Sequence, residues 1–231
     1  MHELDATTFP AWRDAIAAAG DAIAPPRSYP GYPAHPLPAV RRRRRGPGLE
    51  RALAERRSPR ALGTEFPAAT VLARVLWHAH GARDDHGRGP VPSAGGVQGI
   101  ELYLAVIAGG WLPAACYHYD RVRHLLARVG SAADRDACAR RWVPSLATVD
   151  GGALLWIVVG DRARVAHRYG DRAPRFLALE AGHLMQNLCL MSCAAGLGTL
   201  PLGGFYERAL ARALSLPRTD LVLYTGLCGP T

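Results

Sequence analysis

The chain of 231 residues contains no lysine; all 28 of its basic residues are arginine. That absence excludes Schiff-base chemistry, a lysine general base and the lysine of a phosphate-binding P-loop. Cysteine is sparse and odd in number, at 116, 138, 189, 193 and 228, with no Cys-x-x-Cys pair. This spacing argues against a disulfide framework and for a reducing, cytoplasmic compartment. No apolar run reaches the ~20 residues that span a bilayer, and the N-terminus lacks the basic-then-apolar pattern of a signal peptide. No helix-turn-helix, zinc finger or aromatic RNA platform is legible, so neither a membrane nor a nucleic acid is expected as partner. A Gly-x-Ser-x-Gly elbow is missing too. Gly196-Leu197-Gly198 opens like a dinucleotide fingerprint, but Pro201 occupies the third glycine position and the segment follows a helical run instead of a strand. There is no internal repeat.

What is present is the composition of one globular domain, 49% hydrophobic and 20% charged. Five of the nine net positive charges sit in the arginine run 41–45, which reads as a solvated linker between Pro-rich flanks or as a footprint for RNA, an acidic peptide or a membrane surface. Residues 1–48 therefore form an arm. It has an amphipathic piece near 11–24 and then PPRSYPGYPAHPLP, whose prolines disfavour helix and ladder pairing. An extended strap with its two tyrosines anchored is expected there. Residues 49–231 form the folded domain. Helical periods run through LERALAERR, PAATVLARVLWHAHG closing at Gly81, RVRHLLARVG after an Asp120 cap, and ADRDACARRWV. PRFLALEAGHLMQNLCLMSCAAG, ended by Gly196, and YERALARALSL are also helical. IELYLAVIAG, AACYHYD, GGALLWIVVG and DLVLYTGLC read as strands, GGALLWIVVG as a central one buried on both faces. The irregular alternation predicts an α+β fold, a sheet flanked by helices.

Three segments carry chemistry. Arg56, Arg57, Ser58 and Arg60 place three guanidiniums and a hydroxyl around Pro59, a set that neutralises a doubly charged phosphate. Pro92, Ser93, Ala94, Gly95, Gly96 and Gln98 form a small-residue loop that lets backbone amides approach a planar ligand. Leu202, Gly203 and Gly204 offer a second glycine-lined backbone approach. His78, His80 and His86 lack the partners of a metal site, and His78 and His80 are expected to complement a helix C-terminus as imidazolium. Cys189 and Cys193, four apart on a helix, read as small apolar side chains.

In this order the segments ERRSPR, PSAGGVQGIELYL, CYHYD, HRYGDRAPRFLALEAGHLMQNLCL and GLGTLPLGGF resemble the FMN-dependent nitroreductase superfamily. Within it they resemble the SagB-type branch of azoline dehydrogenases. The resemblance implies a nitroreductase-like fold with a mixed, mainly antiparallel sheet flanked by helices. It also implies an interlocked homodimer with FMN at the interface. It places Arg56, Arg57, Ser58 and Arg60 on the FMN phosphate and ribityl chain. Ser93, Ala94, Gly95, Gly96 and Gln98 would line the ring from the partner subunit, and Gly203 and Gly204 would face flavin N5. Glu180, His183 and Asn187, with Gln186 nearby, would form a polar network at the dimer interface. The branch carries a Lys-Tyr pair where this chain has Arg168-Tyr169. Arginine stays protonated, so Tyr169 is expected as base, with Arg168 stabilising its phenolate. The implied reaction oxidises thiazoline or oxazoline rings of a peptide to azoles, beside cyclodehydratase partners. An NAD(P)H-dependent nitro- or quinone-type reductase and an inactive scaffold of a peptide-modification complex stay open as alternatives.

Overall fold

The computed structural model describes residues 25–40, 48–84, 87–131, 137–138 and 141–231. The 11–24 piece, the 41–45 arginine run and His86 lie outside the described residues.

The apolar runs IELYLAV and LLWIVVG become β2 (Ile100–Val106) and β5 (Leu154–Gly160), each buried along its whole length. Their alternation feeds two cores, as the period of two in a strand requires. Leu102, Leu104, Trp156 and Val158 face one core, with Leu72, Leu76, Leu184 and Leu188 from α2 (Ala69–His80) and α4 (Ala173–Cys193). Tyr103, Leu155 and Ile157 face the other, under Leu146 and under Leu210 of α5 (Glu207–Ala213). The remaining strands are β1 (Ala34–Pro36), β3 (Cys116–Asp120), β4 (Leu125–Gly130), β6 (Leu197–Leu202) and β7 (Leu221–Pro230). The sheet order is β1-β4-β3-β2-β5-β7-β6, and every named ladder is antiparallel. A single parallel bridge, Ala61 to Asp150, is described beside it. Helices cover both faces, so the α+β expectation and the nitroreductase-like layering hold.

Several local readings change. Residues 125–130 are a strand and not the helix expected after Asp120. The Asp120 carboxylate does accept the amides of Val122 and Arg123, at 3.1 and 2.9 Å, but it caps a hairpin turn. His124, at φ 52°, closes that turn, and β4 pairs back on β3. The strap joins the sheet despite its prolines. Pro33 supplies only its carbonyl, to Arg128 N at 2.8 Å, which an edge strand permits. Tyr29 is anchored between Tyr103 and His118, whereas Tyr32 is half exposed and rests on Tyr29 alone among the aromatic rings. Leu197–Leu202, between the last two helical runs of the sequence, is a strand. RARVAHRY, unassigned in the sequence, is α3 (Arg162–Tyr169), capped by Asp161, whose carboxylate accepts the Arg164 amide at 3.0 Å. In 133–143 the described residues 137, 138 and 141 are helical. Gly81 ends α2 in an extended conformation; a Cβ there would lie 2.6 Å from the Trp77 ring, so close approach and not a left-handed turn demands glycine.

Candidate functional site

The glycine-rich loop is built from inside. Gln98 adopts φ 55°, a conformation few side chains tolerate, and four bonds hold it there. Its amide donates to Ser93 Oγ at 2.7 Å and its Nε2 to Val91 O at 3.3 Å. Its Oε1 accepts from Arg121 at 2.7 Å, and its carbonyl from Arg164 at 2.9 Å. The Gln98 side chain is thus a strut pointing into the core, while Pro92 and Gly95 are exposed. Behind the loop lies Glu180 of α4, a buried acid whose Oε1 makes no hydrogen bond. Burial pushes its carboxyl up to about 7, against the opposing pull of Ser93, Arg121 and the Gly99 and Ile100 backbone.

At the end of α3, Arg168 and Tyr169 converge on the outer side of the same loop. Arg168 Nη1 donates to Gly95 O at 3.3 Å. A Cβ on Gly95 would lie 2.5 Å from the Tyr169 hydroxyl and 3.3 Å from the Arg168 guanidinium, so only glycine fits. Phe176 supports the Tyr169 ring at 4.6 Å between centroids. A phenol and a permanent cation at an exposed glycine form an arrangement that can hold and move a proton.

The arginine segment lies elsewhere. It follows α1 (Leu49–Glu55), where Arg56 Nη1 donates to Ser58 Oγ at 3.3 Å and Arg57 folds back on the carbonyls of Ala54 and Arg56. Arg60 is exposed. Arg51, Arg57 and Pro59 line a cleft of about 910 Å³ with Cys189, Cys193 and Gly198. This cleft sits at the C-terminal end of α4. Glu180 lies nine residues earlier, roughly 14 Å along a helix. From the cleft β6 runs to Leu202, which is buried, and to Gly203 and Gly204, which are exposed. Where a Cβ would project from Gly96, Gly203 or Gly204 there is no atom within 4 Å. One chain therefore joins the 92–98 loop to Arg168 and Tyr169, and the arginine segment to the cleft, but does not bring the two groups together. In the cleft Arg51 is paired with Glu55 at 2.7 Å, which leaves Arg57 as its unpaired-charge arginine, while Arg56 and Arg60 do not line it. Open glycines and this guanidinium fit a flat ligand with an anionic tail, which is what FMN is.

Other expectations fare differently. Glu180 and Asn187 turn into the fold, Asn187 donating to Ala79 O at 3.3 Å, whereas His183 and Gln186 face outward. Within one chain no hydrogen bond joins the four, because the boundary between buried and exposed faces of α4 runs between them. His80 is buried, and burial holds it neutral, well below the usual imidazole range, so it does not complement the helix end as a cation. Its Nε2 instead meets Ile100 O at 3.2 Å. Burial also lowers His78, followed by the charges of Arg83 and Arg74. None of the five cysteines is in a disulfide, and burial pushes the Cys189 thiol up to about 11.

The sequence did not disclose a buried charge network beneath the strap. Glu101 Oε2 meets His118 Nε2 at 2.9 Å, and Oε1 accepts from Arg164 and from the Arg27 amide, both at 3.0 Å. Arg27 also pairs with Asp220 at 2.6 Å and Asp161 at 3.4 Å and donates to the Tyr103 hydroxyl. Burial pushes Glu101 up, but His118, Arg164 and the Arg27 amide outweigh it and hold the carboxyl down at about 2. The signal available was a lone acid in an otherwise apolar strand, IELYLAV.

The profile of the nitroreductase family matches residues 53–229. A nitroreductase-like protein of Methanocaldococcus jannaschii is 30% identical over 175 residues, which are 76% of this chain and 88% of that one. The crystal structure of a nitroreductase-like protein from Ralstonia eutropha JMP134 superposes with a TM-score of 0.73 at 25% identity, covering 90% of this chain and 93% of the other. A chain of the Escherichia coli microcin synthetase McbBCD complex, solved with truncated pro-MccB17 bound, superposes at 0.62. It covers 100% of this chain and 98% of its own length at 16% identity, a likeness of fold.

Proposed function

The chain belongs to the nitroreductase family of oxidoreductases, and on that premise we propose that it binds FMN between two copies of itself and oxidises azoline rings in a peptide. One observation carries the reading: Arg168 and Tyr169 converge on Gly95, the exposed glycine of the 92–98 loop. The synthetase likeness supports the choice of substrate. The two-copy site is supported by the separation of the arginine segment from that loop along α4. Arg56, Arg57, Ser58 and Arg60 hold the phosphate and ribityl chain. Pro92, Ser93, Ala94, Gly95 and Gly96 from the other copy line the ring, with Gln98 bracing them from behind, and Leu202, Gly203 and Gly204 approach its reactive edge. When bound, FMN supplies the hydride acceptor. Arg168 stabilises the phenolate of Tyr169, and that phenolate takes the Cα proton of the ring to become the neutral phenol. Loss of that proton and of one hydride, which bound FMN would accept, leaves the aromatic azole, and dioxygen would be the terminal oxidant. Five cysteines, none of them in a disulfide, support a reducing cytoplasm as the setting. Among the described residues no helix is long and apolar enough to cross a membrane.

The test is the visible spectrum of the purified protein, identification of the released chromophore, and turnover of a thiazoline peptide under air. Released FMN with azole formation is the expected result. Fast bleaching by NAD(P)H without azole formation would instead favour a reductase, which the Methanocaldococcus relative supports. A colourless protein that takes up no FMN would favour a scaffold.

A further inference from the structure

Helix α3 carries Arg168 and Tyr169 to the glycine loop, yet of its eight residues only Val165 is buried. Val165 docks on Gly99, where an added Cβ would collide with its side chain. The other fastenings are polar. Asp161, the cap of α3, donates its amide to Gly99 O at 2.8 Å. Arg164, one turn before Arg168, donates from Nη1 to Gln98 O at 2.9 Å and meets Glu101 Oε1 at 3.0 Å. Its Nη2 donates to Pro25 O of the strap at 3.0 Å.

Arg27 of the strap closes the set. Its Nη1 donates to Asp220 Oδ2 at 2.6 Å and to the Tyr103 hydroxyl at 3.1 Å, and its Nη2 to Asp161 Oδ2 at 3.4 Å. The Arg27 amide donates to Glu101 Oε1 at 3.0 Å. One guanidinium thereby spans two carboxylates from different elements, the cap of α3 and the residue before β7. The Arg27 and Asp161 side chains are each 15% exposed and that of Asp220 1%, so water and salt screen these contacts little. The planar fork serves both acids at once, each from its own nitrogen, which the single nitrogen of an ammonium does not match.

We propose that Arg27 is a positioning residue for Arg168 and Tyr169: by bridging Asp161 to Asp220 it fixes the first turn of α3, and with it the seat of the phenol at Gly95. Without the guanidinium, two carboxylates that lie within its span repel each other. Asp161 is left to share Arg164, at 3.5 Å, with Glu101. From Asp161 to Tyr169 is eight residues, about 12 Å of helix, so a tilt of about 5° at the Asp161 end moves the phenol by about 1 Å. That hydroxyl sits 2.5 Å from where a Cβ on Gly95 would be, a seat with no slack. The effect on turnover rests on the function proposed above; the bridge and its hold on α3 do not.

Amide hydrogen exchange on the full chain, which needs neither cofactor nor substrate, reads the hold on α3. In Arg27→Ala the amides of residues 165–169 are expected to lose at least ~10-fold in protection while those of β2 and β5 keep theirs. Free methylguanidinium at constant ionic strength should refill the gap and restore the wild-type pattern saturably; methylammonium should not, and the wild type should respond to neither. Unchanged α3 protection overturns the proposal. Failure of methylguanidinium to restore it does so too, since Arg27 would then be only a tether for the strap. Should Arg27→Ala lose protection throughout, adding Asp220→Asn removes the carboxylate left without its partner. In that double variant α3 is expected to lose more protection than β2 and β5, and an equal loss overturns the proposal. With FMN and a thiazoline peptide, kcat of Arg27→Ala is expected to fall about 100-fold with FMN affinity kept within about 3-fold, and methylguanidinium to return it. An equal fall in FMN affinity overturns the positioning role. A chain without azoline turnover overturns the function proposed above and leaves the exchange result to decide on Arg27.

Discussion

At the scale of single residues, the most exacting position is Gly95. Its φ of 57° and the Tyr169 hydroxyl 2.5 Å from any added Cβ make Gly95→Ala a test of placement with almost no change in polarity. Displacing the phenol by about 1 Å is expected to lower turnover roughly 100-fold with FMN retained, measured by steady-state azoline oxidation. Tyr169→Phe removes the proton acceptor and should cost about 100- to 10,000-fold while the flavin spectrum stays; retained turnover would rule out Tyr169 as base. Two carboxyls set opposite pH dependences of stability. Glu101, held at about 2, stabilises the fold above the ordinary 4.5, and that contribution is lost as pH falls towards 2. Glu180, raised to about 7, favours the fold while protonated, so stability declines from about pH 4.5 to about pH 7 and then stays level. Urea titrations should show the second decline in the wild type and not in Glu180→Gln.

At the scale of elements, α3 matters most, because it carries Arg168 and Tyr169 to the loop on eight residues of which only Val165 is buried. Its anchor is Asp161, which caps the helix and also pairs with Arg27 and Arg164. Asp161→Ala is expected to cost roughly 1–2 kcal/mol in urea unfolding, and to lower kcat more than FMN affinity. The sparse burial of α3 is also why the sequence did not show it: RARVAHRY has no apolar stripe to read. LLARVG fits a helical period and a strand period about equally, and only pairing with β3 decides between them. β2 and β5 were legible because runs buried on both faces need no partner to be recognised. The glycine and arginine segments stood out for a similar reason, since their chemistry is local. The Glu101 network did not, because its partners are as far apart as Arg27 and Asp220, 193 residues, and meet only after folding.

At the scale of the whole molecule, the arginine cleft and the Tyr169 loop lie at different places along α4, and the proposed site draws one from each of two chains. Arg57→Ala and Tyr169→Phe, each inactive alone, should complement each other when refolded together. Random pairing leaves one intact site in each mixed dimer, about one quarter of wild-type activity. No recovery would mean that both groups serve a site within one chain.

The order of the sheet has a consequence for synthesis. β7 lies between β5 and β6, yet it is made after both. Until it emerges from the ribosome, the nascent sheet ends at β5, a fully apolar strand with one edge unpaired. Sixty residues, 161–220, separate the two strands, which at about 5–20 residues per second takes roughly 3–12 s. For that interval the growing chain presents an edge suited to pairing with any neighbour. Pauses in translation before residue 221 should therefore cost yield through aggregation, and chaperone capture of stalled chains should recover it.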